Sequence, residues 1–195
     1  GTSEFGKELD SLTDFVSFGI APVFILYFWE LNKYGKLGWA ITLIYSVCCV
    51  LRLARFNLTK INNQQAWKNN FFEGVPSPAG GILILMPLIF ELADFNFNFD
   101  IKNITPYFTI LIAVLLVSKI PTLSLKKISI SPKTTAFILL GIGITFIFLL
   151  YFTFETLFIF GLIYLISIPV SFFLYKIQSK KETLETFDEE HEDVL

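Results

Sequence analysis

Gly6, Asp10 and Asp14 follow one another at intervals of four residues. On a helix each is rotated by about 40° from the last and stands about 6 Å further along the axis. One face then carries two carboxylates with a gap beside them. Like charges one turn apart repel, and a carboxylate in hydrocarbon costs up to about 3 kcal/mol at mid-bilayer. A hard divalent cation, Mg²⁺ or Mn²⁺, would offset both, because such ions prefer carboxylate oxygens and commonly bridge them to phosphates. Glycine one turn before the first carboxylate would let a substrate or another helix approach the backbone closely. The plainer reading is a pair of solvated acids favoured by the dipole at a helix start. The spacing alone leaves both open.

The elements that would position these groups are membrane helices. With 54% hydrophobic and 16% charged residues over 195 positions, the chain is too apolar for an ordinary soluble domain. Charge-free runs at Phe15–Trp29, Leu37–Leu51, Gly74–Phe90, Asn103–Ser118, Thr134–Phe154 and Thr156–Tyr175 predict about six spans in an all-α, polytopic bundle. Only the last two runs reach the length that crosses a bilayer unaided, so the first four are expected to extend through flanking charged residues. Pro87 and Pro169 are expected to kink their helices, and Gly141 and Gly143 suit close helix packing. Cys48 and Cys49, adjacent in an apolar run, are poorly placed for a simple disulfide and read as small lipid- or helix-facing residues.

Lys and Arg sit singly or in pairs at the ends of apolar runs, which argues against nucleic-acid binding. If the N-terminus is cytoplasmic, the inside loops hold twelve of the fifteen basic residues, leaving Lys33, Lys36 and Lys102 outside. Both termini are therefore expected in the cytoplasm. Seven acids crowd into the last fourteen residues, so residues 1–176 read as the transmembrane domain and 177–195 as an acidic, disordered cytoplasmic tail.

The segment Gly6-Lys-Glu-Leu-Asp10-Ser-Leu-Thr-Asp14 resembles the end of the signature of the CDP-alcohol phosphatidyltransferase family, D-x2-D-G-x2-A-R-x8-G-x3-D-x3-D. Further stretches are similar to its bacterial phosphatidylserine synthase branch: Val16-Ser17-Phe18-Gly19 with Ala21-Pro22, Leu51-Arg52-Leu53-Ala54-Arg55-Phe56-Asn57, Gly74-Val75-Pro76-Ser77-Pro78-Ala79 and Ser118-Lys119-Ile120-Pro121-Thr122. The two earlier aspartates, the first glycine and the Ala-Arg pair of the signature are not in the sequence. Counting back, the Arg would fall four residues before Gly1 and the aspartates nine and twelve before it. The chain is thus expected to begin inside its own motif, lacking the first two helices of the family fold, and to be inactive alone while its intact parent is an enzyme.

The resemblance implies that Asp10 and Asp14 are metal ligands for Mg²⁺ or Mn²⁺ and that Asp14 is also the general base. It implies CDP-diacylglycerol and L-serine as substrates, a bilayer of the bacterial inner membrane with the site facing the cytoplasm, and a homodimer as the form often taken. Arg52 and Arg55 end an apolar run, where they serve as positive-inside anchors or bind lipid phosphate or serine carboxylate through their bidentate forks. Asn57 would add an amide contact. Ser77 sits in what reads as a rigid loop, which the resemblance sets at the border of the substrate pocket. Two rivals stand beside this reading. One is a sister enzyme using glycerol phosphate or inositol phosphate. The other is a transporter or channel whose Asp10 and Asp14 bind a passing cation.

Overall fold

The computed structural model describes residues 3–59, 71–93, 95, 100–123 and 132–192. All six apolar runs lie mainly in helices. Helix α1 (Glu4–Asp14) passes through a π-helical segment, Phe15–Ile20, directly into α2 (Ala21–Trp29). These form one apolar span, Phe5–Trp29, of 25 residues. After a 3₁₀ turn, α3 (Lys36–Thr59) returns, and its Lys36–Leu58 portion is again long enough to cross a membrane. Both spans reach that length by including charged residues, Lys7, Glu8, Asp10 and Asp14 in the first and Lys36, Arg52 and Arg55 in the second, as their short apolar runs require.

Helices α4 (Ser77–Ile84) and α5 (Met86–Leu92) share one apolar run broken at Leu85. Pro87 lacks an N–H and its ring crowds the carbonyl four residues back, which explains the break. Helix α6 (Thr105–Val117) follows, then α7 (Pro132–Tyr151) and α8 (Thr153–Glu192). Pro169, by contrast, lies within an α8 that is assigned without interruption.

Helix α7 ends at Tyr151, so the run Thr134–Phe154 is divided between α7 and the start of α8. There Thr153 donates its hydroxyl to the Leu149 carbonyl at 2.7 Å, a local bond that competes with regular helix. Two expectations change, those for the α7 glycines and for the end of α8. Among the described residues nothing lies within 4 Å of where a Cβ on Gly141 or Gly143 would stand, so they mediate no close helix packing there. Finally, α8 continues past residue 177 to Glu192, where the acidic composition suggests disorder. Glu and Lys are good helix formers, so the charged sequence extends the helix it follows.

The core lies where α2, α3, α4 and α6 meet, around Leu26, Tyr45, Cys49, Leu83, Ile112 and Leu116. Many large apolar side chains on the outside, Phe28, Leu37, Val47 and Phe137 among them, remain exposed. Such a surface is stable only against hydrocarbon, and the chain is a multi-pass membrane protein. Cys48 and Cys49 are free, the second buried between helices.

One feature is not helical. Strands β1 (Phe71–Glu73) and β2 (Pro121–Leu123) pair antiparallel, Phe72 opposite Thr122. They join the segments that follow α3 and α6, so both lie at one end of the bundle, the end that holds Asp14. Gly74 closes the ribbon at φ +75°, donating its N–H to the Ile120 carbonyl at 2.8 Å. A Cβ there would stand 2.6 Å from the Ser118 carbonyl oxygen, so both the dihedral and the space require glycine. At the opposite end, Glu30 and Lys33 pair at 2.8 Å and Lys102 and Glu91 at 2.6 Å.

Candidate functional site

Ser3 caps α1, accepting the Gly6 N–H on its hydroxyl at 3.1 Å. This N-cap bond satisfies one of the free donors of the first turn. The helix then carries Gly6 and Asp10, both exposed, down to Asp14, which is half-buried where the π segment begins. The three residues share a face as their spacing requires.

Asp14 opens on a cavity of about 210 Å³ between α1, α3 and the start of α4. Arg52 and Ser77 line it too, with Leu53, Phe56, Pro76 and Pro78 forming its apolar walls. Arg52 is buried, and its Nε donates to the Val75 carbonyl at 3.0 Å. That bond fixes the guanidinium beside the loop that Gly74 permits. Ser77 is buried as well. Asp14, Arg52 and Ser77 come from three separate stretches of sequence, and the fold gathers them.

Arg55 and Asn57 are placed differently. Arg55 donates from Nη1 to the Val117 carbonyl at 2.7 Å, at the C-terminal end of α6, and does not line the cavity. A cation there complements the negative helix end. Asn57 donates from Nδ2 to the Ser11 hydroxyl at 2.9 Å and so ties α3 to α1 one residue beyond Asp10. Both residues brace the elements that carry the cavity. Pro76 and Pro78 belong to the loop that the resemblance sets at the pocket border, whereas Leu53 and Phe56 are lining residues that the sequence does not single out. Their proximity to Arg52 along the chain was the available signal.

Asp10 and Asp14 offer only oxygen donors on one helix face. This donor set fits Mg²⁺ or Mn²⁺, which take few protein ligands and complete their shells with water and phosphate oxygens. Among the described residues no group of three His, Cys, Asp or Glu side chains converges on a common point.

The chain is thus a membrane helix bundle in which the acidic face of α1 borders a cavity lined by Arg52, Ser77 and apolar side chains. The sequence profile of the CDP-alcohol phosphatidyltransferase family matches residues 1–117, and the chain belongs to that family. It is similar to proteins named CDP-diacylglycerol--serine O-phosphatidyltransferase. One, from Mycobacterium tuberculosis, is 35% identical over 143 residues, covering 73% of this chain and 50% of the relative. The Mycobacterium leprae protein is 38% identical over 138 residues, 69% of this chain and 45% of the relative. The Helicobacter pylori protein is 31% identical over 146 residues, 75% and 60%. The chain thus spans about half the length of the curated relatives it matches.

Proposed function

We propose that this chain is the greater part of the catalytic domain of a phosphatidylserine synthase, which transfers the phosphatidyl group of CDP-diacylglycerol to L-serine and releases CMP. The observation that carries the reading is the cavity where Asp14 of α1 meets Arg52 and Ser77, in a chain of this family whose relatives bear that enzyme's name. Residues 1–176 form the membrane domain in this reading, and 177–195 a cytoplasmic extension.

In the reaction the serine hydroxyl oxygen attacks the phosphorus of the phosphatidyl group. A new P–O bond forms, the P–O bond to the CMP phosphate breaks, and the electron pair leaves with CMP. Asp14 accepts the hydroxyl proton, a task that needs a carboxylate within hydrogen-bond reach of the nucleophile. Arg52 faces the anionic groups, where a guanidinium binds phosphate or carboxylate oxygens two at a time. Gly6 leaves the backbone open to the nucleotide side of the substrate, and Ser77 offers a hydroxyl to the serine. Arg55 and Asn57 contribute by holding α6 and α1 in place. A divalent cation, Mg²⁺ or Mn²⁺, bound by Asp10 and Asp14 would neutralise the diphosphate charge.

The excess of basic residues in alternate loops supports a bacterial inner-membrane location with this end of the bundle in the cytoplasm. A homodimer is part of the proposal, tested by cross-linking in native membranes. The decisive experiment supplies the intact gene product with CDP-diacylglycerol and, separately, L-serine, glycerol 3-phosphate or inositol phosphate. CMP release with serine supports the reading. Release with another alcohol and none with serine ends it, and no release with any alcohol turns attention to cation transport.

A further inference from the structure

The π-helical segment that separates the acidic face of α1 from α2 has a cause within the structure. Pro22, the second residue of α2, has no N–H to offer the carbonyl of Phe18, and its ring crowds that oxygen. In regular α-helix Phe18 would lose its partner inside hydrocarbon, where an unpaired carbonyl is costly. The chain instead widens over Phe15–Ile20, and Ala21 donates back five residues to the Val16 carbonyl. The displaced Phe18 oxygen accepts the phenol of Tyr45, on α3, at 2.9 Å. Tyr45 is wholly buried and is among the largest side chains in the core.

Small residues hold the segment on two sides. A Cβ on Gly19 would stand 3.1 Å from the Cys49 sulfur, and one on Gly81 3.1 Å from the Phe18 Cα. The widened turn adds one residue, worth about 100° of helix rotation. This offset sets the direction in which Asp10 and Asp14 point relative to Arg52 and Ser77, which are carried by α3 and α4. π turns of this kind recur at functional sites.

We propose that Tyr45 is a positioning residue: by holding the Phe18 carbonyl out of the helix it fixes the π turn, and through it the rotation that aims Asp14 into the cavity. The inference rests on the reading of Asp10 and Asp14 as a metal-binding pair, and it deepens that reading.

The test uses the intact gene product in lipid nanodiscs, with Mn²⁺ binding followed by electron paramagnetic resonance without substrate and CMP release followed with it. Tyr45→Phe removes one oxygen atom. The expected result is weaker Mn²⁺ binding, with kcat lowered about ten- to hundredfold, the scale of a displaced catalytic group. Pro22→Ala in the same background restores an N–H for Phe18. If Tyr45 only satisfies a buried carbonyl, the double variant regains both thermal stability and turnover, which overturns the proposal. If it positions the helix, the double variant regains stability while turnover and Mn²⁺ binding stay low. Wild-type values in Tyr45→Phe refute the inference alone. A wild-type protein that neither binds Mn²⁺ nor releases CMP refutes the metal-pair reading and the inference with it.

Discussion

Substituting Gly74 by alanine isolates the ribbon from which the chain enters the cavity loop at Pro76. At φ +75° an L-residue gives up about 1–2 kcal/mol relative to glycine. The new methyl would stand 2.6 Å from the Ser118 oxygen and 3.1 Å from the Leu116 oxygen. Both neighbours are backbone, so relief requires β1 and β2 to separate or the Gly74–Ile120 bond to break, at about a further 1 kcal/mol. The expected destabilisation is about 2–3 kcal/mol. Gly141→Ala is the matched control: nothing lies within 4 Å of its Cβ position, and alanine favours a helix by up to about 1 kcal/mol over glycine. Thermal unfolding in detergent, read by a maleimide dye reaching the buried Cys49 thiol, compares the two. Gly74→Ala should expose Cys49 at a clearly lower temperature than wild type, and Gly141→Ala at the same or a higher one. The adjacent Val75 carbonyl, which anchors Arg52, should move with the ribbon, so turnover should fall even well below the melting temperature. A Gly74→Ala protein as stable as wild type would refute this account of the loop.

Asp14→Asn keeps the shape of the side chain and removes its basicity, so CMP release should fall to background while the protein still elutes as a folded species. Arg52→Lys, losing the fork at the cavity wall, should lower kcat/KM for CDP-diacylglycerol by about ten- to hundredfold, the scale of one or two charge-assisted hydrogen bonds. Arg55→Lys, away from the cavity, should cost markedly less in the same assay. Chelation of divalent ions should abolish turnover, and added Mg²⁺ or Mn²⁺ should restore it.

The sequence made much of this legible because its strongest signals are local. Apolar runs fix where helices lie, and the four-residue interval puts Asp10 and Asp14 on one face whatever the tertiary fold. Arg52 stands out at the end of an apolar run and Ser77 only by resemblance, and the fold brings both to the cavity that Asp14 lines. What escaped depends on contacts between distant segments. Three-residue strands, one beginning with Pro121, carry no alternating pattern. Arg55 reads as a ligand or an anchor until its partner, the Val117 carbonyl 62 residues on, is seen. Pro87 and Pro169 draw notice inside apolar runs, whereas Pro22, also inside one, enters the sequence reading only through the resemblance. Its effect shows only once Tyr45 is found on the Phe18 oxygen. The glycines of α7 fit a packing rule that this chain gives no partner to fulfil.

Arg52 and Arg55 both grip main-chain oxygens, those of Val75 and Val117. Every amino acid carries that oxygen, so the residues at 75 and 117 can drift through evolution without loosening either grip. Statistical searches for paired substitutions would register no link between 52 and 75 or between 55 and 117. The two attachments that frame this cavity therefore leave no trace in alignments of side chains, and coordinates are needed to find them.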